Sequence, residues 1–184
     1  MRWIPFIVLI YLVLLVQTTV GKILTFTGGG LGRVGPDLLA IVVVFAALHT
    51  RSVTDVALAA WAAGLGLDLT TAGGPGATAV LGPMSLAYVV AAWIVYRLRE
   101  AVFRERALPQ ALLALIFCAA AHGTWVTLQT ALGGGAWADY GRHLALAAAL
   151  SVYTAVLMPL GHLALVPVRG LIIAAPAERS RRAR

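Results

Sequence analysis

Apolar residues run almost unbroken through six stretches of the chain, separated by short segments rich in glycine, proline and arginine. The stretches extend from Ile4 to Val20, Pro36 to Leu48, Val53 to Leu69, Ala77 to Tyr96, Pro109 to Leu132 and His143 to about Val166. A bilayer core about 30 Å thick takes roughly 20 helical residues to cross, so these lengths predict membrane helices. The second stretch is short for a crossing unless it is tilted or lies where the bilayer is thin. Pro83 falls inside the fourth and is expected to kink it near Ala79, because proline removes an amide hydrogen and crowds the preceding turn. Pro109 occupies a first-turn position that tolerates proline, whereas Pro159 and Gly161 are expected to interrupt the sixth helix. Arg2 ahead of the first stretch resembles the start of a signal peptide. That stretch is longer than a usual signal core, however, and Gln17-Thr18-Thr19-Val20-Gly21 offers no small-x-small cleavage site, so it is read as a membrane helix.

Composition agrees with that pattern and excludes a soluble domain. Of 184 residues, 61% are hydrophobic and 11% charged, which leaves too few polar side chains to clothe a water-facing surface. The mean hydropathy of +0.91 applies to the whole chain, so lipid is the expected solvent for most of it. A formal charge of +7 would suggest nucleic acid in a soluble protein, but here the arginines flank apolar runs instead of lining a polar face. Eleven of the 14 basic residues fall at the N-terminus, in the second-to-third and fourth-to-fifth loops, and in the tail. Lys22, Arg33 and Arg142 fall on the other side. Because cytoplasmic loops retain Lys and Arg, the expectation is an all-α, six-helix integral membrane protein with both termini inside. Residues 1–168 form the membrane domain, and 169–184 form a basic cytoplasmic tail attracted to anionic lipid. The single cysteine, Cys118, cannot form an intrachain disulfide, and one Cys with four scattered His gives no zinc signature.

Little in the chain proposes chemistry. Gly30-Leu31-Gly32-Arg33-Val34-Gly35 fits the dinucleotide-binding spacing but lacks a preceding soluble strand and falls on the outer side. The only lysine, Lys22, is followed by Ile23, which excludes a phosphate-cradling Walker loop. No paired carboxylates, nucleophile elbow or zinc-protease helix is present, so the chain is read as a non-enzyme without cofactor or metal. Ionisable residues inside membrane helices are costly, and they number four: Asp55, Asp68, His122 and His162. Asp55, behind Ser52 and Thr54, reads as a helix cap. Asp68 shares a helix face with Ala60 and Gly64, where small residues admit a close neighbour and the carboxylate can accept hydrogen bonds from that neighbour or from the glycine-rich turn that follows. His122 reads as an interhelical hydrogen-bond donor, since a proton relay would need a carboxylate partner; Gln17 and Gln129 invite the same reading. The basic segment from Tyr96 to Arg106 is either an interfacial helix that docks a partner or anionic lipid, or a simple inside anchor.

The region from Gly35 to Arg104 resembles the rod shape-determining protein MreD family. Pro36-Asp37-Leu38-Leu39 opens an apolar helix, and His49-Thr50-Arg51 makes a short basic turn. Ala63-Gly64-Leu65-Gly66-Leu67-Asp68-Leu69 and Gly73-Gly74-Pro75-Gly76 follow, before a helix that ends Tyr96-Arg97-Leu98-Arg99. Each element alone is common in membrane proteins; their order and spacing over about seventy residues carry the likeness. Elsewhere only the general pattern agrees, including a proline in the last helix at Pro159.

The resemblance implies a bacterial inner-membrane subunit of the elongation machinery that builds side-wall peptidoglycan. It implies partnership with the bitopic protein MreC, the RodA glycosyltransferase and its transpeptidase, and, directly or indirectly, the actin-like MreB filament. It also implies a fold similar to the substrate-binding subunits of energy-coupling-factor transporters. On this reading the protein is a scaffold in which Pro36, Asp37, Arg51, Gly64, Asp68, Gly76 and Arg97 maintain the shape that partners bind. The rival is an uptake subunit for a vitamin-like molecule, with Asp68, His122 or Trp125 facing the ligand. A proton-coupled transporter is disfavoured by the scarcity of acids in the helices.

Overall fold

The computed structural model describes residues 1–19, 21–28, 32–71, 82–99, 107–132 and 137–173. The chain forms helices α1 (Trp3–Thr19), α2 (Gly21–Leu24), α3 (Leu38–His49), α4 (Val53–Thr71), α5 (Pro83–Leu98), α6 (Ala107–Leu132), α7 (Tyr140–Leu165) and α8 (Arg169–Ile172). Between α2 and α3, strands β1 (Phe26–Gly28) and β2 (Gly32–Val34) pair antiparallel, with Phe26 opposite Val34. Each of the six apolar runs contains a helix within its described residues. Three helical segments are long and apolar enough to cross a membrane, Val53–Thr70, Leu108–Leu132 and Trp137–Leu165, while α1, α3 and α5 are apolar but shorter.

Helix α3 lies at the centre. It packs against α1, α4, α5, α6 and α7, and no residue from Leu39 to Leu48 is more than 4% exposed. A helix that is apolar on every face has no preferred side to turn outward, so enclosure by neighbours is the arrangement its sequence favours. Enclosure also accounts for its brevity, since a helix sheathed by other helices need not match the thickness of the hydrocarbon. Around it α4, α5 and α6 meet through small side chains, among them Ala59, Ala60, Ala63, Ala91, Ala92 and Ala121, all fully buried. Small residues let helix backbones approach and gain dispersion energy where lipid supplies no hydrophobic drive. The opposite faces are apolar and open: Ile4, Ile7 and Leu12 on α1, and Val156, Leu160 and Leu163 on α7, are all more than half exposed. Such a surface suits lipid as solvent.

Local chemistry departs from the sequence expectation at the prolines and in one loop. Pro83 does not kink a longer helix; it is the first residue of α5, behind Gly82, whose φ of +116° lies in the left-handed region and cannot continue a right-handed helix backward. The expected start at Ala77 lies outside the described residues. Pro159 does not end α7, which continues to Leu165. Gly161, also expected to break the helix, serves contact instead: a Cβ there would meet Ile41 Cγ2 at 2.5 Å, so glycine admits α3. The glycine-rich stretch expected as a plain loop contains the β-ribbon. Its β2 strand covers Gly32–Val34, so the described part of the formal dinucleotide spacing is a strand of this ribbon and not the start of a helix. Past position 168 the chain continues as α8, with Ile172 buried and its carbonyl accepting from the Arg2 amide at 2.8 Å. The rest of the predicted tail, from 174 onward, lies outside the described residues.

Candidate functional site

A buried helix must satisfy its terminal amides and carbonyls with protein groups, because neither water nor lipid will. At the start of α3 the first three amides all have side-chain partners. Gln17 of α1 places Oε1 3.0 Å from the Leu38 nitrogen and 3.2 Å from that of Leu39, and Asp37 Oδ1 accepts from the Ala40 nitrogen at 3.1 Å. Asp37 is therefore the N-cap, with extended backbone (φ −96°, ψ 94°), and the buried Pro36 before it favours that conformation. The Asp37 amide itself donates to Thr154 Oγ1 of α7 at 2.9 Å.

The second carboxylate oxygen of Asp37 joins two more helices. His122 of α6 places Nε2 3.0 Å from Oδ2, and the Tyr88 hydroxyl of α5 donates to the same oxygen. Asp37, Tyr88, His122 and Thr154 are all buried. A carboxylate at a helix N-terminus is favoured by the helix dipole, and here an imidazole and a phenol also face it. The cluster thus ties α3, α5, α6 and α7 together at one point.

The other end of α3 is closed by Arg99. Its Nη1 donates to the carbonyl of Ala47 at 2.6 Å and to that of Thr50, and its guanidinium lies 3.7 Å over the Tyr96 ring. Tyr96 in turn donates through its hydroxyl to the Arg51 carbonyl at 2.5 Å. Here a cation meets the negative end of the helix dipole, the counterpart of Asp37 at the positive end.

Asp68, at the end of α4, caps α5 across the helix pair. Its Oδ2 accepts from the Gly82 nitrogen at 3.0 Å, the Ser85 nitrogen at 3.2 Å and the Ser85 hydroxyl at 3.1 Å, while Oδ1 accepts from the Met84 nitrogen at 3.3 Å. Proline at the first position has no amide to satisfy, so the carboxylate serves the donors on either side of it. One turn earlier, a Cβ on Gly64 would lie 2.6 Å from Ser85 Cα and 2.8 Å from the Met84 carbonyl oxygen. Glycine at 64 is what brings α4 near enough for Asp68 to reach.

The candidates from the sequence divide accordingly. Pro36, Asp37, Gly64 and Asp68 sit at helix junctions, but in two separate places: Asp37 at the head of α3 and Asp68 at the head of α5. His122 has its carboxylate, and it is Asp37, not Asp68. Arg51 contributes its carbonyl while its side chain is exposed, and Arg97 is exposed, with its guanidinium 5.4 Å from the Trp93 ring centroid. Gly76 and residues 100–106 of the basic segment lie outside the described residues. Asp55 is not the cap of α4; Ser52 Oγ accepts from the Asp55 nitrogen at 3.3 Å, and the Asp55 carboxylate lies 3.0 Å from the Met1 nitrogen.

The sequence reading missed Arg99, Tyr88 and Thr154. Arg97 and Arg99 lie two positions apart in a basic run and so about 200° apart on a helix, and nothing local says which one turns inward. Among the described residues no group of three or more histidine, cysteine, aspartate or glutamate side chains gathers to hold a metal ion, and Cys118 is a buried free thiol. The chemistry available is that of fixed hydrogen bonds and charges that pin helix ends. Comparison of the chain with protein-family models, with curated proteins and with solved structures yields no match.

Proposed function

We propose that this chain is a non-catalytic scaffold subunit of a bacterial cell-elongation complex, of the MreD kind. In this reading it is a six-span protein of the cytoplasmic membrane with both termini inside, and its fold is like that of energy-coupling-factor substrate-binding subunits. The observation that carries the proposal is the engagement of Asp37, Asp68 and Arg99. Each of these buried charged side chains accepts from or donates to the end of a helix. Ionic groups committed to helix ends favour a rigid body that presents a shape over a carrier that binds and releases cargo. Pro36, Asp37, Gly64 and Asp68, which carry the resemblance to that family, are also residues that hold helices in place. The exposed apolar faces of α1 and α7 offer lipid-level surface to the membrane helix of an MreC-like protein, and through it to a RodA-type glycosyltransferase, its transpeptidase and the MreB filament. Arginines at the inner ends favour anionic lipid.

The test is crosslinking within the native membrane, using a tagged full-length chain and mass spectrometric identification of what is attached. Recovery of an MreC-like bitopic protein or a RodA-type synthase is the expected result. Recovery of a transport ATPase module without wall-synthesis proteins would overturn it in favour of the vitamin-uptake reading, in which a ligand lies near Asp68, His122 or Trp125.

A further inference from the structure

Three contacts gather one end of the molecule. The Met1 nitrogen lies 3.0 Å from Asp55, the Arg2 amide donates to the Ile172 carbonyl, and Arg99 donates to the Thr50 carbonyl. The starts of α1 and α4, the ends of α3 and α5, and α8 therefore share this end. It carries Arg2, Arg51, Arg97, Arg99 and Arg169, and all but Arg99 are exposed. Among the described residues its one carboxylate is Asp55, because Asp37, Asp68 and Asp139 lie toward the other end. Aromatic side chains fix the depth of two of these arginines. The Arg97 guanidinium lies 5.4 Å from the centroid of the Trp93 ring, and the Arg51 carbonyl accepts from the Tyr96 hydroxyl at 2.5 Å. Tryptophan and tyrosine collect where hydrocarbon meets headgroups, so both arginines stand at headgroup level. Neither makes an ion pair with a carboxylate among the described residues.

We propose that Arg51 and Arg97 seat the phosphate of an anionic phospholipid where the α3–α4 turn meets the end of α5. Leu86, Val90 and Trp93 are exposed and, with Arg97, are spaced four, three and four residues apart, so they share one face of α5. From Leu86 to Arg97 that face runs about 16 Å at 1.5 Å per residue, close to the roughly 15 Å of hydrocarbon in one leaflet. An acyl chain lying along it ends with its headgroup at Arg97, and Tyr96 holds the Arg51 turn beside that point. A guanidinium offers a planar fork that matches phosphate oxygens. Two of them favour a headgroup of net negative charge, because a zwitterionic one brings an ammonium of its own. Arg99 takes no part, since it is buried and its Nη1 is committed to the carbonyls of Ala47 and Thr50. The inference deepens the lipid preference stated above and rests on the cytoplasmic placement of this end. It does not depend on which protein partners the chain has, which crosslinking tests separately.

Lipid titration of the full chain in detergent micelles, read by native mass spectrometry, tests the seat with phosphatidylglycerol and phosphatidylcholine of identical acyl chains. The wild type is expected to hold phosphatidylglycerol about tenfold more tightly. Arg51→Gln and Arg97→Gln should each weaken that binding about fivefold, and the two together about twentyfold, as follows from the attraction of basic residues to an anionic lipid surface. Phosphatidylcholine binding should stay unchanged, which shows that the variants keep their fold. Arg33→Gln with Arg142→Gln removes the same charge from exposed positions at the other end and should change phosphatidylglycerol binding less than about twofold. Equal affinity of the wild type for the two lipids would overturn the proposal. So would equal losses in the two double variants, which would reduce the effect to net charge, or a parallel loss of both lipids in the Arg51 and Arg97 variants.

Discussion

His122 Nε2 lies 3.0 Å from Asp37 Oδ2, although 85 positions of sequence separate the two residues. The pair joins the N-cap residue of the central helix to the middle of α6, and the same carboxylate caps α3. Removing it breaks two functions at once.

Asp37→Ala should therefore be among the most damaging single changes. It orphans the buried imidazole of His122 and the hydroxyl of Tyr88 as well as the Ala40 amide, a loss of about 3–5 kcal/mol by analogy with broken buried pairs. Asp37→Asn retains an oxygen for capping and should cost less. Thermal unfolding of the purified protein in detergent ranks the two. A double-mutant cycle with His122→Ala should show coupling of about 1 kcal/mol or more, and strict additivity would mean that the contact carries no energy.

Asp68→Ala removes four hydrogen bonds to the start of α5 and leaves buried amides unpaired, which predicts a loss of about 1–3 kcal/mol. Ser85→Ala removes only the hydroxyl bond and should cost about 1 kcal/mol or less. In cells, Asp68→Ala should lower abundance or assembly in a depletion rescue. Wild-type behaviour there would count against the capping role.

Gly64→Ala and Gly123→Ala form a matched pair. At 64 the new methyl meets the Ser85 and Met84 backbone and forces α4 from α5, at about 1–3 kcal/mol. At 123 nothing lies within 4 Å, so the same change should be neutral or slightly stabilising through helix propensity. Equal unfolding midpoints for the two variants would refute the close approach of α4 and α5.

Arg99→Met should destabilise the protein clearly, whereas Arg97→Met, on an exposed arginine, should change little. Arg99→Lys is not expected to rescue fully, because a single ammonium on a flexible stem cannot reproduce a planar guanidinium stacked over Tyr96 and forked toward two carbonyls. Melting curves of the three variants decide this, and a larger effect from Arg97→Met would reverse the assignment.

Much of the local structure was legible along the chain. Six apolar runs become helices because an apolar backbone away from water must hydrogen-bond to itself. The face shared by Ala60, Gly64 and Asp68 follows from helical periodicity alone, and it does receive a neighbour. Asp68 was likewise readable as an acceptor for the segment after it, since sequence neighbours joined by a short connection pack side by side. What could not be read were contacts between distant positions. His122 needed a carboxylate, and both Asp37 and Asp68 were available; only the enclosure of α3 by α5, α6 and α7 puts Asp37 within reach. Arg97 and Arg99 carry the same chemistry two residues apart, and the rotation of α5 about its axis alone turns Arg99 toward the carbonyls of α3.

The sequence by itself determined that the chain is helical and lipid-compatible, because hydropathy and helix formation depend on runs of neighbouring residues. The tertiary structure decided that the shortest of the six apolar helices stands at the centre, and which polar side chains close its two ends. Those choices depend on helix order and rotation, which near-uniform apolar faces leave unspecified until the few buried polar groups find partners.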